Sequence, residues 1–160
     1  MREILFRAKA INGDKGYHRT NYKNGDWVYG LITRLYDVRF ENLPAEMTDE
    51  NGVSGIEIDH NTICQYTGLT DKNGNKIWEN DVVEFEDTGE EGYEYKEGYD
   101  FINRARVEFA EARWSLTDFL DTNSAVVDEM YNQVEFMDFW QYCEVKGNIF
   151  DNAELIEGSE

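Results

Sequence analysis

Two apolar runs near the middle of the chain, residues 62–69 and 76–86, are joined by Asp71-Lys72-Asn73-Gly74-Asn75. This junction constrains the fold more than any other stretch. An Asn-Gly step supplies the positive backbone angles that hairpin turns require, so the two runs are expected to pair antiparallel. Alternation elsewhere agrees. Across residues 4–11, Ile4, Phe6, Ala8 and Ala10 face one way and Leu5, Arg7 and Lys9 the other, the pattern of a half-buried strand. Residues 27–36 are apolar on both faces, as a central strand would be. Residues 104–109 alternate again, and residues 113–117 return from them through Ala110-Glu111-Ala112. The exception follows Ser124, an N-cap with Asp128 and Glu129 in the first turn. Val127, Met130, Tyr131 and Val134 then recur at helical spacing and predict one helix of about ten residues. Residues 139–148 read as a final strand and residues 152–156 as a short terminal helix or turn. There is no internal repeat and no Pro- or Ser-rich linker; Pro44 is the only proline.

Charge narrows the function classes. The chain has 160 residues, with 15 bases against 34 acids, a net −19. Neutralising phosphates takes clustered Lys and Arg, so direct binding to nucleic acid or to an anionic membrane is not expected. Disorder is not expected either, because 4 Trp, 10 Tyr and 9 Phe supply large side chains that offset the entropy of ordering. The excess is uneven: residues 1–80 hold 12 acids and 10 bases, residues 81–160 hold 22 and 5. Residues 84–100 alone contain eight acids, one Lys and three Gly, which reads as a long solvated loop or hairpin. Its interleaved aromatics suit a protein interface, and Glu90, Glu91, Tyr93, Glu94, Tyr95, Glu97, Tyr99 and Asp100 are the candidate interaction surface. The blander reading is a tract that maintains solubility. A sharper one is a surface imitating nucleic-acid phosphates, which would occupy a DNA-binding protein.

Motifs for chemistry are sparse. The Asp71 loop begins like a calcium loop, but Lys76 stands where the sharp turn needs Gly and Val82 where a bidentate Glu should sit. His60 and Cys64 are four apart and share a face only in a helix, whereas their neighbours favour a strand, so an ordinary loop His and a buried Cys are expected. His18 has no evident ligand partner, and Ser54 lacks the spacing of a nucleophile elbow. Cys64 and Cys143 cannot form a disulfide framework, no apolar N-terminal run suggests a signal peptide, and no stretch is apolar enough to span a bilayer. A cytosolic chain with reduced thiols is expected.

The stretch Cys64-Gln65-Tyr66-Thr67-Gly68-Leu69-Thr70-Asp71-Lys72-Asn73-Gly74-Asn75-Lys76-Ile77-Trp78-Glu79-Asn80-Asp81-Val82-Val83 closely resembles the signature of the YopX family of phage and prophage proteins. The opening Ile4-Leu5-Phe6-Arg7-Ala8, the Ile58-Asp59 lead-in and the closing stretch from Val145 to Ile156 are similar to that family in the expected order. The sequence departs from the family at Asn80, where Gly is usual, at Ala153, where Pro is usual, and at Lys146, where an apolar residue is usual. Asn tolerates the left-handed region, which explains the first departure. The resemblance implies a mostly β protein with a small barrel-like core, of phage origin, in the host cytoplasm; it implies no mechanism. Folding explains the signature: Gly68, Asn73 and Gly74 set turns, Ile77 and Val83 fill the core, and Asp81 accepts backbone hydrogen bonds where a strand begins.

These readings together predict an α+β, mainly β domain: a small SH3-like or related antiparallel barrel over residues 1–86, an acidic insertion over 87–103, and a hairpin, one or two short helices and a closing strand over 104–160. The expected role is a non-enzymatic accessory protein, with no cofactor or metal, that binds a host or phage protein. Self-association is expected where open sheets leave edges to pair. The alternatives are the nucleic-acid mimic and an enzyme using Asp81.

Overall fold

Strands form where apolar residues recur at spacing two, and the chain builds ten of them among its described residues. The structure is a computed structural model and describes residues 3–11, 20–35, 44–89 and 101–157, leaving aside the side chains of residues 128 and 133–135. The chain divides into two compact units, Met1–Tyr66 and Thr67–Glu160. The candidate interaction residues Glu90, Glu91, Tyr93, Glu94, Tyr95, Glu97, Tyr99 and Asp100 lie outside the described residues, as does His18.

The first unit is an antiparallel sheet of β1 (Phe6–Lys9), β2 (Trp27–Arg34), β3 (Ala45–Asp49), β4 (Ile56–Ile58) and the start of β5 (Cys64–Thr70), in the order β4-β3-β2-β1-β5. One face buries Ala8, Ala10, Val28, Met47, Ile56 and Ile58. Burying each of the larger side chains contributes about 1.5–3 kcal/mol. Gly30 lets β2 approach β3 closely, since a Cβ there would lie 2.0 Å from the Thr48 carbonyl oxygen. β2 is central in its pairing, but only one of its faces is covered: Val28 is fully buried, whereas Leu31 is 53% exposed. Arg7, read from alternation as facing solvent, is buried, with its guanidinium 4.6 Å from the Trp27 ring centroid and the Lys9 ammonium 5.1 Å from it. An aromatic face attracts both cations while their stems cover apolar surface.

Among the described residues, the small SH3-like or related barrel expected over residues 1–86 is not closed. The sheet curls far enough for a single bridge, Ala10 to Ile58, flanked by N–H bonds from Ile11 to Glu57 and from Asp59 to Lys9, each 2.9 Å. Closure stops there because β4 has only three residues to offer a ladder.

The second unit begins within β5, where Gly68 at φ +82° breaks the alternation and Tyr66 and Thr67 are buried in succession. The rest of β5 pairs with β6 (Lys76–Trp78), and β7 (Asp81–Asp87), β8 (Phe101–Ala110), β9 (Arg113–Thr117) and β10 (Glu144–Asn148) form an open antiparallel sheet in the order β10-β7-β8-β9. Residues 76–86, read as one run, are two strands broken at Glu79-Asn80, with Asn80 at φ +66°. The Asn80 side chain shows why Asn serves here: its Oδ1 accepts a 3.0 Å bond from Arg106, which Gly could not offer.

The expected single helix is instead two, α1 (Ala125–Glu129) and α2 (Gln133–Phe139), and the final strand starts five residues later than residue 139. Phe136, Phe139, Trp140 and Cys143 sit at i, i+3, i+4 and i+7, a helical stripe that buries all four against Val83, Phe85, Ala105 and Leu116. Phe85 meets Phe139 edge-on at 5.1 Å, and Phe136 stacks on Phe139 at 5.5 Å.

Candidate functional site

Three buried aspartates organise the loops, and each is consumed by hydrogen bonds. Asp71 follows β5, and its Oδ1 accepts 2.9 Å bonds from the N–H groups of Asn73 and Asn75. Its Oδ2 accepts the Val145 N–H of β10 at 2.9 Å. Burial raises the Asp71 pKa, but the bonds from Val145, Asn75 and Asn73 outweigh that and hold it below the ordinary carboxylate range. One of its oxygens is therefore occupied by the hairpin turn that the sequence predicts and the other by β10.

The same device recurs unannounced in the first unit. Asp49-Glu50-Asn51-Gly52 repeats the Asp-x-Asn-Gly order of Asp71-Lys72-Asn73-Gly74. Asp49 Oδ1 accepts from Asn51 and Val53 at 2.9 and 2.8 Å, and Gly52 and Gly74 take φ of +84° and +79°. Here the second oxygen accepts the Tyr22 hydroxyl at 2.9 Å. Burial raises the Asp49 pKa, yet the bonds from Val53, Tyr22 and Asn51 leave it lowered; burial and the Asp49 partner push the Tyr22 phenol up to about 12. The third carboxylate, Asp87, accepts 3.0 Å bonds from Gly89 N, Ala125 N and Asn103 Nδ2, together with the Ser124 hydroxyl. Ser124 in turn accepts the Val126 N–H at 3.2 Å, the expected N-cap of α1.

The Asp71 turn also shapes a groove. Lys72 donates its N–H to the Cys143 carbonyl at 3.0 Å, and Val145 is held by Asp71, so β10 begins at Glu144 opposite Glu84. Before Glu144 the chain bends away as the turn leaving α2, with Tyr142 N bonded to Phe139 O at 2.9 Å. β7 continues past that point, and among the described residues no strand pairs with Phe85, Glu86 or Asp87 on the side that β10 vacates. The gap is a groove of about 440 Å³ with Phe85 and Phe139 in its floor, Ile102 and Tyr142 at its rim, and Lys72 and Glu86 beside them. Ile102 and Tyr142 are 56% and 75% exposed, apolar surface left to solvent.

Charges around the groove are unevenly matched. Lys72 pairs with Glu144 at 3.0 Å, an attraction that raises the lysine pKa and lowers that of the glutamate, while Glu84 is shared by Arg104 at 2.9 Å and Lys146 at 3.6 Å. Lys146 sits where the β7–β10 register shifts, which accounts for a charged residue at that family position. Glu86 makes no ion pair among the described residues. The unit as a whole holds 24 acids against 7 bases.

The other sequence candidates are not brought together. Asp81 is fully buried at the start of β7 and accepts the Trp78 N–H at 2.8 Å, the strand-start role expected of it. His60 is exposed at a 3-10 turn, whereas Cys64 is buried and donates its thiol to Thr62 O. Ser54 is an exposed loop residue. Burial, with the Asp71 charge behind it, pushes the Cys143 thiol up to about 12. Among the described residues, no group of three or more His, Cys, Asp or Glu is placed to hold a metal, and no helix is long and apolar enough to cross a membrane.

The family profile described as YopX protein matches residues 20–157. The chain belongs to the YopX family. The match extends into both units of this YopX protein and includes the Asp49 and Asp71 turns, β7 and β10. No functionally curated protein matches the YopX chain. Among solved structures it is similar to protein EF1440 from Enterococcus faecalis, at 22% identity over 98% of this chain and 100% of that one, with a TM-score of 0.49.

Proposed function

We propose that this YopX-family chain is a non-enzymatic accessory protein of phage or prophage origin that works in the bacterial host's cytoplasm by binding a host or phage protein. The supporting observation is the groove beside β7, an opening lined by Phe85, Ile102, Phe139 and Tyr142 together with Lys72, Glu84 and Glu86, in a unit whose buried carboxylates are committed to holding loops. Catalytic groups need a substrate-facing position and a tuned pKa, whereas Asp81, Asp71 and Asp87 face inward onto donors of the fold. The acidic tract that joins β7 to β8 in sequence adds negative charge to the unit, which strengthens attraction to a basic partner.

The test is affinity capture from phage-infected host lysate with the wild type, with Tyr142→Asp and Ile102→Asp, and with a tract-deleted variant. A partner held by the wild type and weakened at least about tenfold by the groove variants supports the reading, since loss of an aromatic anchor costs about 1.4 kcal/mol or more. A partner indifferent to the groove variants but lost with the tract, and displaced by DNA, would move the assignment to a nucleic-acid mimic.

A further inference from the structure

We infer that the groove accepts its partner as an added β-strand, an extended segment in which apolar residues alternate with Lys or Arg; this rests on the binding role proposed above and specifies the kind of partner. The first ground is the backbone. In an antiparallel sheet each strand residue directs its N–H and C=O to one neighbour, alternating sides. β10 serves β7 only from Asp81 to Glu84, so the backbone of Phe85–Asp87 on that side has no strand to meet it among the described residues. An unmatched strand edge is the ordinary template for main-chain pairing, and three residues of edge span about 10 Å.

The second ground is the side chains flanking that edge. An added strand would present alternate residues to opposite faces of the sheet. On one face it meets the Phe85 and Phe139 rings with Tyr142 beside them, which takes an apolar side chain. On the other it meets Glu86 and its cross-strand neighbour Ile102. Lys72 pairs with Glu144, and Glu84 with Arg104 and Lys146, whereas Glu86 acts on Lys72 only at longer range and makes no ion pair among the described residues, so it is the groove charge with most capacity for a further cation. A cationic side chain placed there pairs with Glu86 and keeps its aliphatic stem on Ile102. The 24 acids against 7 bases of the unit add a field of the same sign, which favours a basic segment over an acidic one at a distance.

The probe is a labelled eight-residue peptide alternating Val and Lys, titrated into the full chain by fluorescence anisotropy. Three comparisons accompany it: the same peptide with Glu for Lys, the same peptide with alternate backbone nitrogens methylated, and the variant Glu86→Lys, a change at an exposed position. Expected results are saturable binding of the Val-Lys peptide, no binding of the Val-Glu peptide, and at least tenfold weakening by Glu86→Lys. N-methylation on the edge-facing register should weaken binding at least tenfold, because it removes main-chain donors while keeping every side chain. Slowed amide exchange should be confined to Phe85–Asp87 and the rim. Binding unaffected by methylation, or exchange protection elsewhere, overturns strand addition. If the peptide fails while the groove variants still abolish capture of the natural partner, binding stands and the strand mode falls. If the groove variants leave capture intact as well, both fall.

Discussion

Replacing Asp71 by Asn tests whether a carboxylate, as distinct from the turn it sits in, holds β10 in place. An Asn side chain keeps one acceptor oxygen. If that oxygen serves Asn73 and Asn75, the amide NH₂ confronts the Val145 N–H, donor against donor; if the amide flips, the two turn donors lose their acceptor. Either way at least one partly buried donor loses its acceptor, which costs about 1 kcal/mol, and the surviving bonds lose their charge assistance, which costs about as much again. A loss of about 2 kcal/mol is expected for Asp71→Asn. Asp49→Asn is the internal control, because it sits in the same Asp-x-Asn-Gly turn but its second oxygen faces the Tyr22 hydroxyl. A hydroxyl can rotate and accept from the new amide, so this loss should be about 1 kcal/mol. Urea unfolding at pH 7, followed by Trp fluorescence, separates the two, since Trp78, Trp114 and Trp140 report on the second unit and Trp27 on the first. The folded pKa of Asp71 lies below its unfolded value, so its contribution is complete above that unfolded value and lost as pH falls through the folded one. The gap between wild type and Asp71→Asn should therefore close below about pH 4. An Asp71→Asn protein within about 0.5 kcal/mol of wild type at pH 7, or one no worse than Asp49→Asn, would refute the reasoning.

Three further outcomes are expected. The β8–β9 turn places Glu111 and Ala112 at φ +50° and +61°, so the double change Glu111→Asn with Ala112→Gly should raise stability by about 1 kcal/mol in urea unfolding; an unchanged midpoint contradicts the strain assigned to this turn. Tyr22 titrates near 12 in the folded chain against 10 unfolded, so the stability it contributes is present below pH 10 and lost as pH rises from 10 to 12. Tyr22→Phe should abolish that part of the alkaline decline, and an unaltered decline between those pH values speaks against the Tyr22–Asp49 bond. Both thiols are fully buried, and that of Cys143 is pushed up to about 12, so a thiol-specific chromogenic disulfide at pH 8 should react slowly with the native chain and with two thiols per chain in guanidinium; rapid native reaction would show that these sites open readily.

Local chemistry made part of this architecture legible in the sequence and long-range bonding concealed the rest. The Asp71 turn, the left-handed backbone at Asn80, the Ser124 cap and the β8–β9 hairpin are written in residues that act on their own neighbours, although the strand break that Asn80 makes in residues 76–86 is not. The Asp49 turn was spelled in the same order but followed β3, whose Ala45-Glu46-Met47-Thr48 has little β preference to announce a strand. α2 (Gln133–Phe139) is not separated from α1 by the helical spacing that ends at Val134, and residues 139–148 read as strand because Phe139 and Trp140 carry β-favouring side chains, although with Phe136 their spacing is helical. The groove could not be foreseen at all. It depends on where β10 begins, and that is settled by a bond from Asp71 to Val145, 74 residues away.

That separation also has a consequence in time. At about 5–20 residues per second, the ribosome needs about 4–15 s to add the 74 residues between Asp71 and Val145. Over that interval the hairpin turn can close on Asn73 and Asn75, while the second carboxylate oxygen and the β10-facing edge of β7 have no strand to receive them. The nascent chain therefore carries a longer adhesive edge than the finished protein, and the arrival of β10 shortens it to Phe85–Asp87.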